Sequence, residues 1–182
     1  MLLKKLTINH ADIEHVKKVF LDSFPENERP MDIDTILAQD EIPFDLIGIY
    51  PDEAPDDFVG FFLTVKNDEC AYLVYFAISP EKRSGGIGSK AIQALKEQYK
   101  DTPLLFSYES IYQESNNAKQ REKRRNFYLK NGFYETGWFA NLAGTEFILA
   151  SSVEEFHKDS FLAFLTTMAG GRTIPELYRR DI

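Results

Sequence analysis

The segment from Ile78 to Lys90 constrains the fold of this chain more than any other part of the sequence. An apolar run ends at Ile78, a glycine-rich turn follows, and a helical pattern begins at Ile87. Glycine has no Cβ, so successive backbone N–H groups in such a turn can approach an anion closely. A helix that begins at the turn adds the positive end of its dipole. The segment therefore predicts a strand, an anion-binding turn and a helix.

The turn alone leaves several interpretations open. A P-loop requires Gly-x-x-x-x-Gly-Lys-Ser/Thr, and residues 88–91 break that order. The dinucleotide fingerprint Gly-x-Gly-x-x-Gly/Ala is matched at Gly86, Gly88 and Ala91, but residues 80–83 separate these glycines from the strand that should directly precede them. Nicotinamide-dinucleotide binding and a purely structural turn both remain alternatives.

Hydrophobic periodicity predicts the other elements. The predicted strands are residues 2–8, 44–50, 58–66, 71–78, 104–108, 133–139 and 145–150, and the predicted helices are 11–24, 32–39, 87–99, 117–131 and 153–168. Short connections between the three strands from 44 to 78 predict an antiparallel meander. The strand–helix–strand unit from 71 to 108 predicts one parallel pair. We therefore expect a mixed α/β fold.

Length, charge and residue content argue against several classes of protein. The 182 residues favour one domain, and the net charge of −8 argues against nucleic acid or an anionic membrane as the main partner. No apolar run reaches the ~18 residues of a membrane span, and the first residues lack a signal-peptide core, so we expect a cytoplasmic protein. Cys70 is expected to be a buried thiol, and the spacing of the histidines predicts no metal site.

Arg83, Gly86 and Gly88 form Arg-x-x-Gly-x-Gly, which resembles the Arg/Gln-x-x-Gly-x-Gly/Ala pyrophosphate motif of the GNAT superfamily of acetyl-CoA-dependent N-acyltransferases. The predicted element order is similar to theirs over residues 1–150. The resemblance implies a mixed, mostly antiparallel sheet with one strand–helix–strand parallel unit and helices on both faces. Residues 151–182 lie outside it and are expected to form a C-terminal helical extension.

The resemblance also implies acetyl-CoA as co-substrate. The end of the strand before the motif would contact the pantetheine arm and the acyl carbonyl, and the turn would hold the pyrophosphate. The residues assigned to acetyl-CoA in this way are Phe76, Ala77, Ile78, Arg83, Ser84, Gly85, Gly86, Ile87, Gly88, Ser89, Lys90, Phe127 and Tyr128.

A second motif supports the first. Phe127-Tyr128 followed by Gly132-Phe133 is similar to the family's Phe/Leu-Tyr-x-x-x-Gly-Phe, whose tyrosine often lies beside the CoA sulfur and serves as general acid. A phenol with a pKa of about 10 can protonate a departing thiolate of similar basicity. The alternative is a packed tyrosine whose hydroxyl is hydrogen-bonded. Many members place Asn seven residues before this tyrosine; here that position is Arg121, so the role of that asparagine is assigned to no residue.

Amine acetylation also needs a base, and three carboxylates are candidates. Glu109 directly follows the second strand of the predicted parallel pair, at its carboxyl end, where α/β sheets place ligands. Glu28 lies, with Glu26, in the turn between the first two helices, which borders the acceptor site in the family. Clustered carboxylates there would favour a cationic amine. For each of these residues, a solvated carboxylate is the alternative.

Two further features are less specific. Cations crowd the helix that contains Tyr128, where they would contact cofactor phosphates or form a solvated face: Lys119, Arg121, Lys123, Arg124, Arg125 and Lys130. An apolar stripe in the extension is expected to pack on the domain or on a second subunit, so a homodimer is open: Phe156, Phe161, Phe164, Leu165 and Met168.

The sequence thus predicts an N-acetyltransferase that moves an acetyl group from acetyl-CoA to a primary amine of a small molecule or peptide. Direct transfer is expected because no Ser, Cys or His is placed as a covalent nucleophile. The alternative is a non-catalytic acyl-CoA-binding or sensory domain on the same fold.

Overall fold

The computed structural model describes residues 1–29, 31–39, 42–83, 85–142, 144–169 and 175–180. The strands are β1 Leu2–Leu6, β2 Phe44–Tyr50, β3 Gly60–Lys66, β4 Ala71–Ile78, β5 Leu104–Glu109, β6 Tyr134–Leu142, β7 Thr145–Ser151 and β8 Leu177–Arg179. The helices are α1 Ile13–Ser23, α2 Ile33–Leu37, α3 Ile87–Gln98, α4 Ala118–Lys130 and α5 Lys158–Ala169. Single turns of 3₁₀ helix occur at Glu26–Glu28 and Pro80–Lys82.

The first compact unit comprises Met1–Lys66 and Tyr72–Gln98. Its strand order is β1-β2-β3-β4, and the first three strands pair in antiparallel register, with Leu6 opposite Leu46 and Leu46 opposite Leu63. Helices α1 and α2 bury their apolar faces against this sheet. The core they form contains Leu6, Ile13, Val16, Val19, Phe20, Ile33, Ile36, Leu46, Phe61, Leu63 and Ala77.

Gly60 sets how closely β3 approaches the end of β4. A Cβ at this position would collide with the carbonyl oxygen of Ala77 and lie 3.0 Å from the Cα of Ile78. Only glycine permits this approach, so Gly60 fixes the backbone at the carboxyl end of β4.

The second unit comprises Asn67–Ala71 and Tyr99–Ile182. Its strand order is β5-β7-β6-β8, and all three pairings are antiparallel. Helix α4 packs on β5. The ring of Trp138 in β6 lies between Lys158 of α5 and Arg179 of β8, each 4.5 Å from its centroid, so cation–π contacts attach both C-terminal elements to β6.

The prediction of a mixed α/β fold is confirmed, with a mostly antiparallel sheet and one parallel strand pair. The structure differs from the predicted elements at two places near the C-terminus. The last helix begins at Lys158 rather than residue 153, and the three-residue strand β8 was not predicted. Among the described residues, no helix is both long and apolar enough to cross a bilayer.

Candidate active site

The turn before α3 has the geometry of an anion cradle. Gly85 and Gly86 have φ angles of +63° and +74°, which side chains rarely adopt, and a Cβ on either would have no non-adjacent atom of the described residues within 4 Å. The turn is therefore open on its outer side. Helix α3 begins directly after the turn, and the positive end of its dipole favours an anion there. The residues present thus fit a diphosphate.

Two cationic side chains, those of Arg83 and Lys90, border the turn. The Arg83 guanidinium donates to the carbonyl oxygen of Ile78 and to the hydroxyl of Ser23, both at 2.9 Å, and these neutral acceptors do not compensate its charge. Lys90 is exposed in the first turn of α3. Lys82, by contrast, pairs with Asp57 at 2.8 Å. Ser84, which the resemblance assigns to the pyrophosphate, lies outside the described residues.

The carboxyl end of β4 leads into this turn and is rigidly held. Phe76 stacks on Phe62 with ring centroids 4.6 Å apart, and Ala77 and Ile78 are buried. The Ser79 N–H donates to the carbonyl oxygen of Val59 at 2.9 Å. The backbone assigned to the pantetheine arm is therefore fixed by contacts within the first unit.

The acidic turn Glu26–Glu28 is attached to the same strand. The Tyr75 hydroxyl of β4 donates to the backbone carbonyl of Glu28 at 2.8 Å, and its ring packs edge-on against Phe20 and Phe24 at 4.9 and 4.8 Å. Burial, together with the charge of Glu28, raises the pKa of Tyr75, so its hydroxyl stays a donor. The Glu28 backbone is thus bonded to β4, the strand that contains the sequence-predicted residues Phe76, Ala77 and Ile78.

In the second unit, Tyr128 of α4 is 9% exposed and surrounded by aromatic rings. Its ring centroid lies 4.2 Å from that of Phe106 and 5.6 Å from that of Tyr108, and Phe127 packs edge-on at 5.2 Å. None of the described residues hydrogen-bonds to its hydroxyl. Burial raises the pKa of Tyr128 to about 12, with the Arg124 charge opposing the shift, so the phenol is protonated at neutral pH. Such a phenol is suited to donate a proton.

Glu109, the other predicted catalytic residue of this unit, is held by cations. Its two carboxylate oxygens accept from Arg121 at 2.9 Å and from Arg124 at 2.8 Å, and the Asn117 amide donates to both at 3.3 and 3.4 Å. The Glu109 side chain is only 10% exposed. Guanidinium groups thus occupy both oxygens, so this arrangement favours anchoring of α4 over base catalysis.

Arg121 occupies the position where many family members have asparagine, and it faces inward. Its guanidinium donates to Glu109, to the Asn117 side chain at 2.8 Å and to the Ser110 carbonyl at 3.0 Å. With Arg124 and Arg125 also paired to carboxylates, the arginines of α4 bind the protein itself. Of the cations predicted on this helix, Lys119, Lys123 and Lys130 are exposed.

Sequence reasoning missed a second ion-pair cluster on α4. Arg125 donates to both oxygens of Glu135, at 2.6 and 2.9 Å, and the Tyr108 hydroxyl donates to the same carboxylate at 2.6 Å. Burial alone would raise the pKa of Glu135, but the hydrogen bonds from Arg125 and Tyr108 lower it overall. Nothing local marks Glu135, since its partners come from β5 and α4.

Two cavities border β5. One, of about 680 Å³, follows its carboxyl end and is lined by Ile111, Tyr112, Gln113, Glu114, Ser115, Asn116 and Ala118. The other, of about 300 Å³, lies by Cys70 and Leu105 at the opposite end. Burial, with the Glu69 charge, raises the pKa of Cys70 to about 11, so the thiol is inert, as predicted for a buried cysteine. Within the described residues, no group of His, Cys, Asp and Glu could hold a metal.

A sequence profile of the acetyltransferase (GNAT) family matches residues 13–133, more than half of the chain. The chain therefore belongs to the GNAT acetyltransferase family. No curated protein sequence gives a significant match.

Solved structures show the same fold at low sequence identity. A GNAT-family acetyltransferase from Bacteroides thetaiotaomicron is 21% identical, with a TM-score of 0.71 over 94% of this chain and 97% of that one. An aminoglycoside 6'-N-acetyltransferase complexed with coenzyme A is 14% identical, with a TM-score of 0.62 over 87% and 100%. The ribosomal-protein-S18-alanine N-acetyltransferase from Escherichia coli is 16% identical, with a TM-score of 0.55 over 87% and 97%.

Proposed function

We propose that this chain binds acetyl-CoA and transfers its acetyl group directly to a primary amine of a small molecule or peptide. The observation that carries the proposal is the turn before α3, where Gly85 and Gly86 adopt positive φ and leave open space beside a helix N-terminus. Arg83 and Lys90 add positive charge for a diphosphate. The CoA complex of a structural neighbour supports the choice of ligand.

The donor's contribution is an acetyl thioester, whose carbonyl carbon forms a bond to the amine nitrogen as its bond to sulfur breaks. A backbone N–H at the end of β4, in Phe76, Ala77 or Ile78, polarises the carbonyl oxygen. Tyr128 donates its phenolic proton to the departing sulfur and later recovers one from solvent. Because burial keeps this phenol protonated, the acid is present throughout the neutral range.

Glu28 is the base in this proposal. It accepts the proton that the amine loses, directly or through a water molecule, and its backbone is held on β4 by Tyr75. Glu109 anchors α4 instead, since guanidinium groups already occupy both of its oxygens. An acidic turn at the acceptor side also favours a cationic amine over a neutral one.

The acceptor class is tested with a panel of amines. Purified protein is incubated with acetyl-CoA and either spermidine, kanamycin or a peptide with an N-terminal alanine; thiol release is followed and products are identified by mass. We expect an acetylated product with at least one amine. Tyr128→Phe and Glu28→Gln should lower kcat by about 10²–10⁴-fold, whereas Glu53→Gln, in an exposed loop, should not.

Acetyl-CoA binding without any product would instead favour the non-catalytic acyl-CoA-binding alternative. Loss of activity in Glu109→Gln, with full activity in Glu28→Gln, would return the base role to Glu109. The cavity after β5 gives the panel a structural readout, since protection of residues 111–118 from hydrogen exchange by an amine would place the acceptor there.

A further inference from the structure

We infer that Glu135, whose carboxylate is bound by Arg125, is a positioning residue. It orients the Tyr128 phenol through the ring of Tyr108. The inference rests on the proposed role of Tyr128 as proton donor. Glu135 lies beyond the segment that the family profile matches, residues 13–133.

Aromatic rings pack around the Tyr128 side chain. Since none of the described residues hydrogen-bonds to its hydroxyl, no polar contact among them fixes the direction of the phenol. The ring of Tyr108 stacks on it with an interplanar angle of 22°, while Phe106 and Phe133 meet it at 45° and 87°. Tyr108 is therefore the neighbour whose plane most nearly matches that of Tyr128.

Tyr108 is in turn fixed by a strong polar contact. Its hydroxyl donates to Glu135 at 2.6 Å, and Arg125 binds both oxygens of that carboxylate. Bidentate pairing fixes the plane of the carboxylate as well as its position. The Arg125 and Glu135 side chains are 27% and 20% exposed, so solvent screens the pair only partly.

These contacts form a continuous series that begins at Tyr128 and ends on the helix that contains it. Arg125 precedes Tyr128 by three residues on α4, so the two side chains lie on the same helix face. The path runs from the Tyr128 ring to the Tyr108 ring, from its hydroxyl to Glu135, and through Arg125 back to α4. A shift at any point changes the angle at which the phenol is presented.

The other ion-pair cluster of α4, which surrounds Glu109, does not orient Tyr128. Glu109 binds Arg121 and Arg124 and makes no hydrogen bond to either tyrosine. It fixes the helix to the end of β5, whereas Glu135 acts on the ring that touches Tyr128. Removal of the Glu135 charge should therefore affect proton donation while acetyl-CoA affinity is retained.

A double-mutant cycle between Glu135→Gln and Tyr128→Phe tests the inference, with the amine that reacts fastest in the panel as probe. We expect Glu135→Gln to lower kcat by about 10- to 100-fold, the size expected for a small misplacement of a reacting group. The dissociation constant for acetyl-CoA should be unchanged. In the Tyr128→Phe background, Glu135→Gln should cause no further loss, because the group it positions is gone.

Glu122→Gln is the matched control, since it removes the same charge from the exposed face of α4. Tyr108→Phe is the second variant if Glu135→Gln folds poorly; it keeps the stacked ring, removes only the bond to Glu135, and should lower kcat in the same background-dependent way. Full kcat in Glu135→Gln, or an equal loss in both backgrounds, overturns the inference alone. Full kcat in Tyr128→Phe overturns the proposed acid role and the inference with it.

Discussion

The Arg121 guanidinium and the Glu109 carboxylate form a buried ion pair, with Nη2 and Oε1 2.9 Å apart. The ion pair gives each of these two residues a structural role. Arg121 replaces the asparagine that is frequent at this position in the family, and Glu109 ends the strand where a catalytic carboxylate was expected. Together they attach the first half of α4 to β5.

Arg121→Ala should therefore destabilise the fold strongly. Removing one partner of a buried pair costs about 3–5 kcal/mol, and we expect a value near the lower limit because Arg124 still pairs with Glu109. Urea unfolding measures the difference. Lys123→Ala, on the exposed face of α4, should change the free energy of unfolding by less than about 0.5 kcal/mol. An equally mild effect of Arg121→Ala would contradict the anchoring role.

Gly86→Glu should abolish acetyl-CoA binding. The new carboxylate would repel a diphosphate at the turn, and a side chain in left-handed conformation costs about 1–2 kcal/mol of stability. Gly144→Glu is the matched control, because Gly144 also has positive φ and a Cβ added there would meet nothing within 4 Å. Calorimetric titration should show binding lost only in Gly86→Glu. Unchanged affinity in that variant would remove the turn from the cofactor site.

Gly60→Ala tests whether the end of β4 contacts the donor. The added methyl group would collide with the Ala77 carbonyl and push the backbone of Ala77 and Ile78 away. We expect a loss of stability of about 1–3 kcal/mol and at least about tenfold weaker acetyl-CoA binding.

Gly48→Ala separates these two effects. A Cβ there would lie 2.8 Å from the Tyr50 ring and 3.0 Å from a methyl group of Leu6, both side chains of the first unit's core. It should lower stability by a similar amount with unchanged affinity. Equal affinities in the two variants would show that the carboxyl end of β4 does not contact acetyl-CoA.

Stability should depend on Glu135 in acid. Hydrogen bonds from Arg125 and Tyr108 lower the pKa of Glu135, so its contribution is fully present above the unfolded-state pKa of about 4.3 and is lost as pH falls through the folded-state value. The free energy of unfolding is measured with urea from pH 6 down to the lowest pH at which the protein remains folded. It should decline less for Glu135→Gln than for the wild type. Glu122→Gln should follow the wild type; identical slopes in all three proteins would contradict the pKa shift.

Local patterns were sufficient where one stretch of chain determines the structure. The strands Phe44–Tyr50 and Ala71–Ile78 were predicted to the residue. The helix predicted from residue 32 begins at Ile33, directly after Asp32, whose side chain accepts from the Thr35 N–H at 2.7 Å. The sequence also predicted a glycine-rich turn at Gly85 and Gly86, and both adopt positive φ, because this conformational freedom is a property of the residue itself.

The errors lie near the C-terminus, where a local hydrogen bond delays the last helix and a distant strand pairing creates β8. The last helix was placed five residues too early: Val153 and Phe156 fit its period, but the Val153 N–H donates to the Ser151 side chain, a local bond that competes with helix formation. Strand β8 exists through pairing with β6, with Trp138 opposite Arg179. Phe161 and Phe164 of the apolar stripe are buried, while the side chain of Met168 lies outside the described part of the chain.

Ligand-induced stabilisation tests the central claim most directly. Thermal and urea unfolding are measured with acetyl-CoA, CoA, NAD and ATP added singly, at concentrations up to about a hundred times the dissociation constant, where a bound ligand adds about 2.7 kcal/mol. Acetyl-CoA and CoA should stabilise the wild type, and Gly86→Glu should lose the effect. Stabilisation by NAD, with none from acetyl-CoA or CoA, would contradict the account.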